Sequence, residues 1–268
     1  MRKTADSLFM SSFIHSTAIV SNDAKMGADC YIGAFSIVGD EAILGDNVHL
    51  ESHVVIGGKT FIGDETRVFP FVSIGLAPQD LKYDGEATAT EIGKRNHIRE
   101  FVTIHRGTAG GGGLTKIGDD NLLMAQAHIA HDCRLGNEII MANAATLAGH
   151  VEIADRANIG AYSGVHQFCR IGLEAFVGGY SVVVKDALPF ATIQGNHAKC
   201  YGLNRTGMMR RGYAKEVVEK LHRAFHLLLS AKLNTTQAVE KIKGEIKDCA
   251  EVDLVVEFIE NSKRGVIK

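Results

Sequence analysis

The sequence predicts a mainly β protein, a parallel β-helix followed by a C-terminal α-helical domain. An aliphatic residue recurs every six positions from Ile14 to Val183, and in the first run of this repeat the fourth residue after it is small or β-branched. After Pro189 the six-residue pattern stops, and an apolar stripe with helical spacing replaces it. The 268 residues suffice for one large domain with a smaller one appended.

The repeat comprises 26 six-residue units in three runs, from Ile14 to Ile74, from Ile92 to Ile104 and from Ile117 to Val183. Six is not a multiple of 3.6, so the pattern is not helical. We interpret it as a coil with three flat sides, one unit per side, whose successive turns stack as parallel strands ~4.8 Å apart. The repeated aliphatic residue and the small residue four positions later would fill the interior, and only an array of such coils is stable.

Two interruptions and the end of the repeat predict the domain organisation. The β-helix covers residues 1–190, with loops near 76–91 and 109–116, and the helical domain covers 191–268. Helices are predicted over 214–231, from Thr235 or Thr236 to Lys247, and over 251–261. They would cover the open C-terminal edge of the β-helix, which otherwise invites strand pairing with another chain.

Composition excludes several classes of protein. A net charge of −2 gives no indication of nucleic-acid binding. The five cysteines form no CxxC pair, and Cys30, Cys133 and Cys169 fall at the small interior position, where a thiol acts as a small apolar group. No run of about 18 apolar residues indicates a transmembrane segment. Residues 1–13 lack the apolar core of a signal peptide, so the expected compartment is the cytoplasm.

A column of polar residues indicates the functional site. Residues 18 apart stack on one another, which puts Gly149 and Gln167 below His131, and Arg106 above it across the second loop. Asp132, His150 and His166 adjoin this column. Imidazoles at an outward corner suit either general acid–base catalysis or a zinc ion bound by three histidines. The His131–Asp132 adjacency and the glycine below favour acid–base catalysis, and a non-catalytic trimeric scaffold is a further alternative.

Longer motifs are more specific than the repeat, and they extend over nearly the whole chain. They resemble the UDP-N-acetylglucosamine O-acyltransferase family of lipid A biosynthesis. The matching segments are QDLKY at 79–83, IRE at 98–100, VTIHRGT at 102–108, GGGLTK at 111–116, NLLM at 121–124, AHIAHDC at 127–133, ATLAGHV at 145–151, VHQFC at 165–169, QGNHA at 194–198, RRG at 210–212 and RGVI at 264–267.

The resemblance implies a left-handed β-helix and a homotrimer with active sites between subunits. It implies transfer of a (R)-3-hydroxyacyl group from acyl carrier protein to the 3-hydroxyl of UDP-N-acetylglucosamine, the first step of lipid A synthesis, without a cofactor or a metal. By the same resemblance His131 is the general base, Asp132 orients it, and the Gly149 amide holds the oxyanion. The implied substrate-binding residues are Gln79, Asp80, Lys82, His128, His150, His166, Gln167, Asn204, Arg210 and Arg211.

The resemblance also bears on acyl length and on the alternatives. Gly179 matches the position that sets acyl length, and a glycine there predicts a long acyl group of the 3-hydroxymyristoyl kind. The related N-acyltransferase of the same pathway has an extra N-terminal uridine-binding domain, for which a repeat that begins at Ile14 leaves no room. Arg205 and Thr206 stand where the family has an acidic residue after Asn204. A trimeric carbonic anhydrase with the same repeat is the zinc-dependent alternative.

Overall fold

The six-residue period folds into short strands joined by tight turns. The computed structural model describes residues 12–229 and 232–268. The segment 1–11, which contributes to the prediction that no signal peptide is present, lies outside the described residues, as does the predicted helix end at Ala231.

Within the described residues the strands are two to five residues long. In chain order they are β1 (Phe13–Ile14), β2 (Ile19–Val20), β3 (Lys25–Met26), β4 (Tyr31–Ile32), β5 (Ile37–Val38), β6 (Ile43–Leu44), β7 (His49–Leu50), β8 (Val55–Ile56), β9 (Lys59–Ile62), β10 (Arg67–Val68), β11 (Ser73–Leu76), β12 (Ala89–Ile92), β13 (His97–Ile98), β14 (Thr103–His105), β15 (Leu114–Ile117), β16 (Leu122–Leu123), β17 (His128–Ile129), β18 (Arg134–Leu135), β19 (Ile140–Met141), β20 (Thr146–Leu147), β21 (Glu152–Ile153), β22 (Asn158–Ile159), β23 (Gly164–Val165), β24 (Arg170–Ile171), β25 (Phe176–Val177), β26 (Val182–Val183), β27 (Ala191–Gln194) and β28 (Lys199–Leu203).

These strands form three sheets, which are the three sides of the coil. The first sheet begins with β1, β4 and β7, the second with β2, β5 and β8, and the third with β3, β6 and β9. Pairing within the β-helix is parallel and in register, as in β17 with β20, where Ile129 lies opposite Leu147. The predicted parallel β-helix is confirmed, and the repeated aliphatic residue of each of the 26 six-residue units lies in a strand.

The repeated aliphatic residues form the core. From Ile32 to Val183 each of them is at most 4% exposed. Ile14 is 44% exposed, because it belongs to the first described coil and, within the described residues, has a neighbouring coil on one side only. The thiols at the small interior position are buried as expected. Burial raises the pKa of Cys133 to about 12 and that of Cys169 to about 11.

The three corners of the coil carry different side chains, and we name each corner by the sheets it joins. The first corner, between the first and second sheets, carries Phe35, Phe71 and Phe101. The second corner, between the second and third sheets, carries Asp132, His150 and Phe168. The third corner, between the third and first sheets, carries Glu138, Arg156 and Glu174. All of these residues have positive φ angles, between 54° and 64°.

Both loops leave the β-helix at the second corner; the first is shorter than predicted, and the second, at 106–113, starts and ends three residues earlier than predicted. Strand β11 runs to Leu76 and β12 starts at Ala89, so the first loop spans 77–88. Strand β15 starts at Leu114, and the second loop contains a 3₁₀ helix, Ala109–Gly111. The reason is that Ala89 pairs with Leu114 on one side and with Lys59 on the other, which extends these strands by two residues.

The segment after Pro189 first continues the β-structure. Strand β27 pairs in parallel with β25, and β28 then folds back antiparallel to β27. The helices begin at Arg205, ahead of the first predicted helix at 214–231. They are α1 (Arg205–Arg210), α2 (Lys215–Leu229), α3 (Thr235–Glu245) and α4 (Ala250–Glu260). Helix α2 packs against β28 at the end of the first sheet, and α3 and α4 pack against α2.

The start of α3 differs from the prediction by one residue. Asn234, and not Thr235 or Thr236, is the N-cap, and its side chain accepts a hydrogen bond from Gln237 N. The Gln237 side chain returns a hydrogen bond to the Asn234 N–H, which completes a capping box. Helix α4 reaches the third sheet, where the Arg170 guanidinium lies 4.2 Å from the centre of the Phe258 ring.

Candidate active site

The second corner brings together the polar residues that the sequence singles out. Asp132, His150 and Phe168 occupy equivalent places in successive coils, with φ angles of 61°, 61° and 62°. His150 N donates to His131 O at 3.0 Å, and Phe168 N donates to Gly149 O at 3.2 Å. These hydrogen bonds between coils stack the corner in register, so residues far apart in the sequence become neighbours.

Asp132 is the best-anchored side chain of the site. It is 4% exposed. Its Oδ1 accepts from Thr108 N at 2.9 Å, and its Oδ2 accepts from Thr108 Oγ1 at 2.7 Å and from His131 Nδ1 at 2.8 Å. Its own N–H donates to Thr115 Oγ1 at 2.8 Å. Because a carboxylate only accepts, His131 carries its proton on Nδ1, and Nε2 keeps a free lone pair.

The glycine-rich loop lies against this carboxylate. A Cβ on Gly111 would lie 2.0 Å from Asp132 Cγ, whereas a Cβ on the neighbouring Gly110 would have no atom within 4 Å. Thr108 caps the 3₁₀ helix of the loop through a hydrogen bond from Gly111 N and also holds Asp132. The sequence analysis did not assign Thr108 and Thr115 to the site. Their position within the motifs that flank this loop was the feature that could have indicated them.

Gly149 lies directly below the His131 ring. A Cβ there would lie 2.6 Å from His131 Cε1 and 2.8 Å from Nε2, so only glycine leaves the ring in place. Within the described parts of the chain the Gly149 N–H makes no hydrogen bond. The site thus combines a free backbone donor with a nearby imidazole nitrogen.

His150 completes the second corner. Its ring meets His131 edge to face at 5.1 Å and stacks on Phe168 at 4.4 Å. Its Nε2 lies 3.9 Å from Asp132 Oδ2. Burial is the main cause that lowers the pKa of His150, and the Asp132 and Asp80 carboxylates oppose this shift. The first loop also contacts the glycine-rich loop, since Glu86 Oε1 accepts from Ala109 N at 3.1 Å.

A second pair of histidines adjoins the corner on the second sheet. His128 Nδ1 lies 2.6 Å from Thr103 Oγ1, and the His105 ring meets the His128 ring edge to face at 5.1 Å. Burial, followed by the neighbouring His105 and His131, lowers the pKa of His128 to about 4. Burial also lowers the pKa of His105. Both rings are therefore neutral at pH 7. Sequence reasoning included His105 in a motif but did not assign it to the site.

Other predicted residues lie elsewhere in the same chain. Arg106 shares the backbone column, but its side chain turns to the first loop, where Nε donates to Tyr83 OH at 2.8 Å. Arg106 therefore lies at the second corner, as expected, but its hydrogen bonds go to Tyr83 and Gly75 and not to a histidine. His166 and Gln167 are exposed, and the His166 Nδ1 lies 3.1 Å from Gln167 O. In the first loop, Asp80 Oδ1 accepts from Lys82 N at 3.0 Å, and the side chains of Gln79 and Lys82 are exposed.

Three of the predicted substrate-binding residues, Asn204, Arg210 and Arg211, belong to the segment at the third corner and not to the second. Asn204 Nδ2 donates to Glu174 O at 3.2 Å, and its Oδ1 accepts from Gly207 N at the start of α1. Arg211 lies 3.8 Å from Glu138 and from Glu174. One chain therefore does not bring Asn204, Arg210 and Arg211 to His131. Gly179 lies at the first corner, where a Cβ would be 3.2 Å from Ala161 O.

The arrangement also bears on the zinc alternative. Among the described residues, ligand atoms of His131, Asp132 and His150 lie within 4.8 Å of one another. That set has two imidazoles and a carboxylate, whereas the zinc alternative requires three histidines. Both Asp132 oxygens already accept hydrogen bonds, and His131 Nδ1 is directed to one of them. The residues present fit an acid–base pair better than a three-histidine metal site.

Comparisons with known proteins agree with this arrangement. Residues 12–58 match the bacterial transferase hexapeptide model, and residues 186–267 match the second domain of UDP-N-acetylglucosamine O-acyltransferase. Fold and site thus define a transferase built on hexapeptide repeats. The chain belongs to the UDP-N-acetylglucosamine O-acyltransferase family, and the predicted left-handed parallel β-helix with C-terminal helices is confirmed.

Several solved structures are similar over almost their full length. The LpxA structure from Acinetobacter baumannii is 43% identical, with 95% of this chain and 99% of that chain covered and a TM-score of 0.93. LpxA of Bacteroides fragilis, a UDP-N-acetylglucosamine acyltransferase, is 37% identical, with 96% and 100% covered and a TM-score of 0.93. The acyltransferase of Campylobacter jejuni is 39% identical, with 95% and 99% covered and a TM-score of 0.90. Over the described residues, no helix is both long and apolar enough to cross a membrane.

Gly111→Ala should reduce kcat ~100-fold, because its Cβ displaces the Asp132 carboxylate and misaligns His131. Gly110→Ala, the same change one residue earlier, should keep wild-type activity because its Cβ meets open space. Steady-state kinetics of acyl transfer on both purified variants, with thermal unfolding as a check of folding, measures this. Equal activity of the two variants would contradict the role assigned to the Asp132 anchor.

The low pKa of His128 predicts a pH dependence of stability. Its folded pKa of about 4 lies below the ordinary value of 6.5, so between these values the unfolded chain binds more protons than the folded one. Stability should therefore fall as the pH is lowered from 6.5 to 4, and His128→Gln should weaken this fall. Urea unfolding across that range measures it. An NMR titration of His128 with a midpoint at or above 6.5 would sink the prediction.

Proposed function

We propose that this protein transfers a (R)-3-hydroxyacyl group from acyl carrier protein to the 3-hydroxyl of UDP-N-acetylglucosamine, with His131 as the general base. The observation that carries the proposal is the chain of contacts from Thr108 through Asp132 to His131, with the unpaired Gly149 N–H below the ring. These groups supply a base, an orienting carboxylate and an oxyanion donor, which acyl transfer requires. The family of the chain supports the choice of substrates.

In the proposed reaction, the sugar 3-hydroxyl oxygen attacks the thioester carbonyl while His131 Nε2 takes the hydroxyl proton. The Gly149 N–H stabilises the negative charge on the carbonyl oxygen in the tetrahedral intermediate. The carbon–sulfur bond then breaks, and the carrier thiolate takes the proton back from His131. An ester and a free thiol result, and neither a metal nor a cofactor takes part.

The remaining side chains of the second corner suit the neutral acceptor sugar. His128 and His150 are held neutral by burial, so they are hydrogen-bonding groups and not competing cations beside His131. We assign them, with Gln79, Asp80 and Lys82 of the first loop, to the sugar and its surroundings. His166 and Gln167, one coil further, face solvent beside the same corner.

A homotrimer would complete the site, and the exposed surface supports this assembly. At the first corner the rings of Phe35, His53, Phe71 and Phe101 form a column with centroids 4.8–5.1 Å apart, and Phe35, Phe71 and Phe101 are about half exposed. The adjacent outer faces are apolar as well, with Ile19 and Ile37 on the second sheet and Phe13 and Phe176 on the first, all exposed. The third sheet has exposed Ile43 and Phe61 in its earlier coils, but from there on it carries a charged column, Glu91, Lys116, Arg134, Glu152 and Arg170.

The same geometry explains why the site is divided between two corners. If the first corner lies at a three-fold axis, the second sheet of one subunit faces the first sheet of its neighbour. The second corner, with His131, then meets the neighbour's third corner, which carries Asn204, Arg210 and Arg211. We assign these three, with Gln167, to the phosphate groups of the nucleotide and of the carrier arm.

We further propose that Gly179 leaves room for a long acyl chain, of the 3-hydroxymyristoyl kind. It lies at the first corner beside Tyr180, which is 73% exposed and stacks on Tyr162 at 5.1 Å. An acyl chain that leaves the second corner and follows the groove between subunits would pass this glycine.

His131→Ala should lower kcat by at least ~10²-fold, because it removes the general base. Folding should survive, since the imidazole lies at a corner, outside the apolar core. The assay is acyl transfer from acyl carrier protein to UDP-N-acetylglucosamine, with His222→Ala on the exposed side of α2 as the control expected to keep full activity. A folded His131→Ala protein that retains more than about a tenth of the rate would refute the assignment.

Mixed trimers test the division of the site. Assayed at substrate concentrations below the KM of the Arg211→Ala variant, His131→Ala and Arg211→Ala trimers should each show little activity, but when they are unfolded together and refolded as a mixture, about a quarter of the sites pair an intact His131 with an intact neighbouring Arg211. We expect activity to return to about that fraction of wild type. If the mixture stays as inactive as its parents while trimers form, the two residues act within one chain and the proposed arrangement is wrong.

Acyl preference is tested by donors of different length. Shortening the acyl chain by four carbons should cost ~3 kcal/mol, or about a hundredfold in kcat/KM, if each methylene is buried. Gly179→Met should reverse the preference while the rate with a short donor is kept. Equal or better use of the short donor by the wild-type enzyme contradicts the claim of a long acyl group.

A further inference from the structure

The third corner contains a buried carboxylate that the proposed mechanism does not use. Glu174 is 3% exposed and has a φ of 54° in the rigid β-helix. Its Oε1 accepts from Arg156 Nε at 2.8 Å and from Tyr213 OH at 3.0 Å. Its Oε2 is buried without a hydrogen bond, and Arg211 Nε lies 3.8 Å away. A buried carboxylate is costly unless it is paired, so this one needs an explanation.

Glu174 contacts both ends of the segment that carries the phosphate-binding candidates. Its backbone oxygen accepts from Asn204 Nδ2 at 3.2 Å, at the start of α1. Its carboxylate binds Tyr213, two residues after Arg211 at the C-terminal end of α1. Tyr213 also packs edge to face on the buried Phe190, at 6.0 Å. One residue of the β-helix thus holds residues 204–213 at two points.

The Glu174 carboxylate attracts the Arg211 guanidinium but does not occupy its hydrogen-bond donors. Its guanidinium lies 3.8 Å from Glu174 Oε2 and from Glu138 Oε2, and within the described residues its side chain makes no hydrogen bond. It borders an open cavity of about 480 Å³ that Arg156, Gly212 and Tyr213 also line. Its N–H groups therefore remain available to an anion, while the charges on one side fix its direction.

We propose that Glu174 is a positioning residue that holds Asn204 and Arg211 ready for a phosphate or phosphodiester group. This inference rests on the proposed function. The group belongs either to the nucleotide or to the carrier arm, and both have the same chemistry. Glu138 lies as close to Arg211 but is 56% exposed, so water screens it and its contribution is small.

The test measures KM for UDP-N-acetylglucosamine and for acyl carrier protein separately. Glu174→Ala should raise one of them about tenfold with kcat within about twofold, and the KM that rises identifies the source of the phosphate. Glu174→Gln, which keeps an acceptor for Arg156 and Tyr213 and so guards against misfolding, should cause a smaller rise in the same KM. Glu138→Gln is the matched control and should change neither KM more than about twofold.

A double-mutant cycle separates positioning from a purely structural role. In an Arg211→Ala background, Glu174→Gln should have almost no further effect, because its action passes through Arg211. If both Glu174 variants keep wild-type KM values, or if the Glu174→Gln and Arg211→Ala effects simply add, the inference is overturned. A wild-type protein without acyl-transfer activity refutes the proposed function and this inference with it, whereas an active wild type with unaffected variants refutes only the inference.

Discussion

Parallel hydrogen bonding between neighbouring coils is the constraint on which the rest of the structure depends. Each coil is fixed in register on the next, so a place on a corner is defined by its position in the repeat and not by its local sequence. In that register the His150 N–H bonds to His131 O, and Gly149 lies directly below the His131 ring. A slip by one residue would exchange interior and surface side chains along the whole side.

Within that frame, buried carboxylates organise the two polar corners. Asp132 binds the loop through Thr108 and orients His131, and Glu174 binds Arg156 and Tyr213 at the third corner. In each case one acid connects the rigid β-helix to a segment outside the repeat. Neither site segment could hold its position alone, because the loop and α1 are too short to fold by themselves.

The sequence was sufficient for the β-helix because the six-residue period is tied directly to interior positions such as Ile98 and Ile129. It also placed Gly149 below His131, since stacking follows from counting 18 residues. Counting residues could not predict the direction of the Arg106 side chain, because that direction depends on a hydrogen bond to Tyr83 in the loop. Likewise, Asn234 is the N-cap of α3 because it exchanges hydrogen bonds with Gln237. Local propensity does not distinguish it from the two threonines that follow. The roles of Thr108 and Glu174 depend on contacts between distant segments.

The second loop has a consequence for how such a molecule changes over evolutionary time. It adds seven residues to one coil, yet Ala89 still pairs with Leu114 and the coils beyond continue undisturbed. Outward corners and loops can therefore vary in length and chemistry while the inward positions stay the same. New specificities can arise on this scaffold through substitutions and insertions at the corners and loops, without changes to the core.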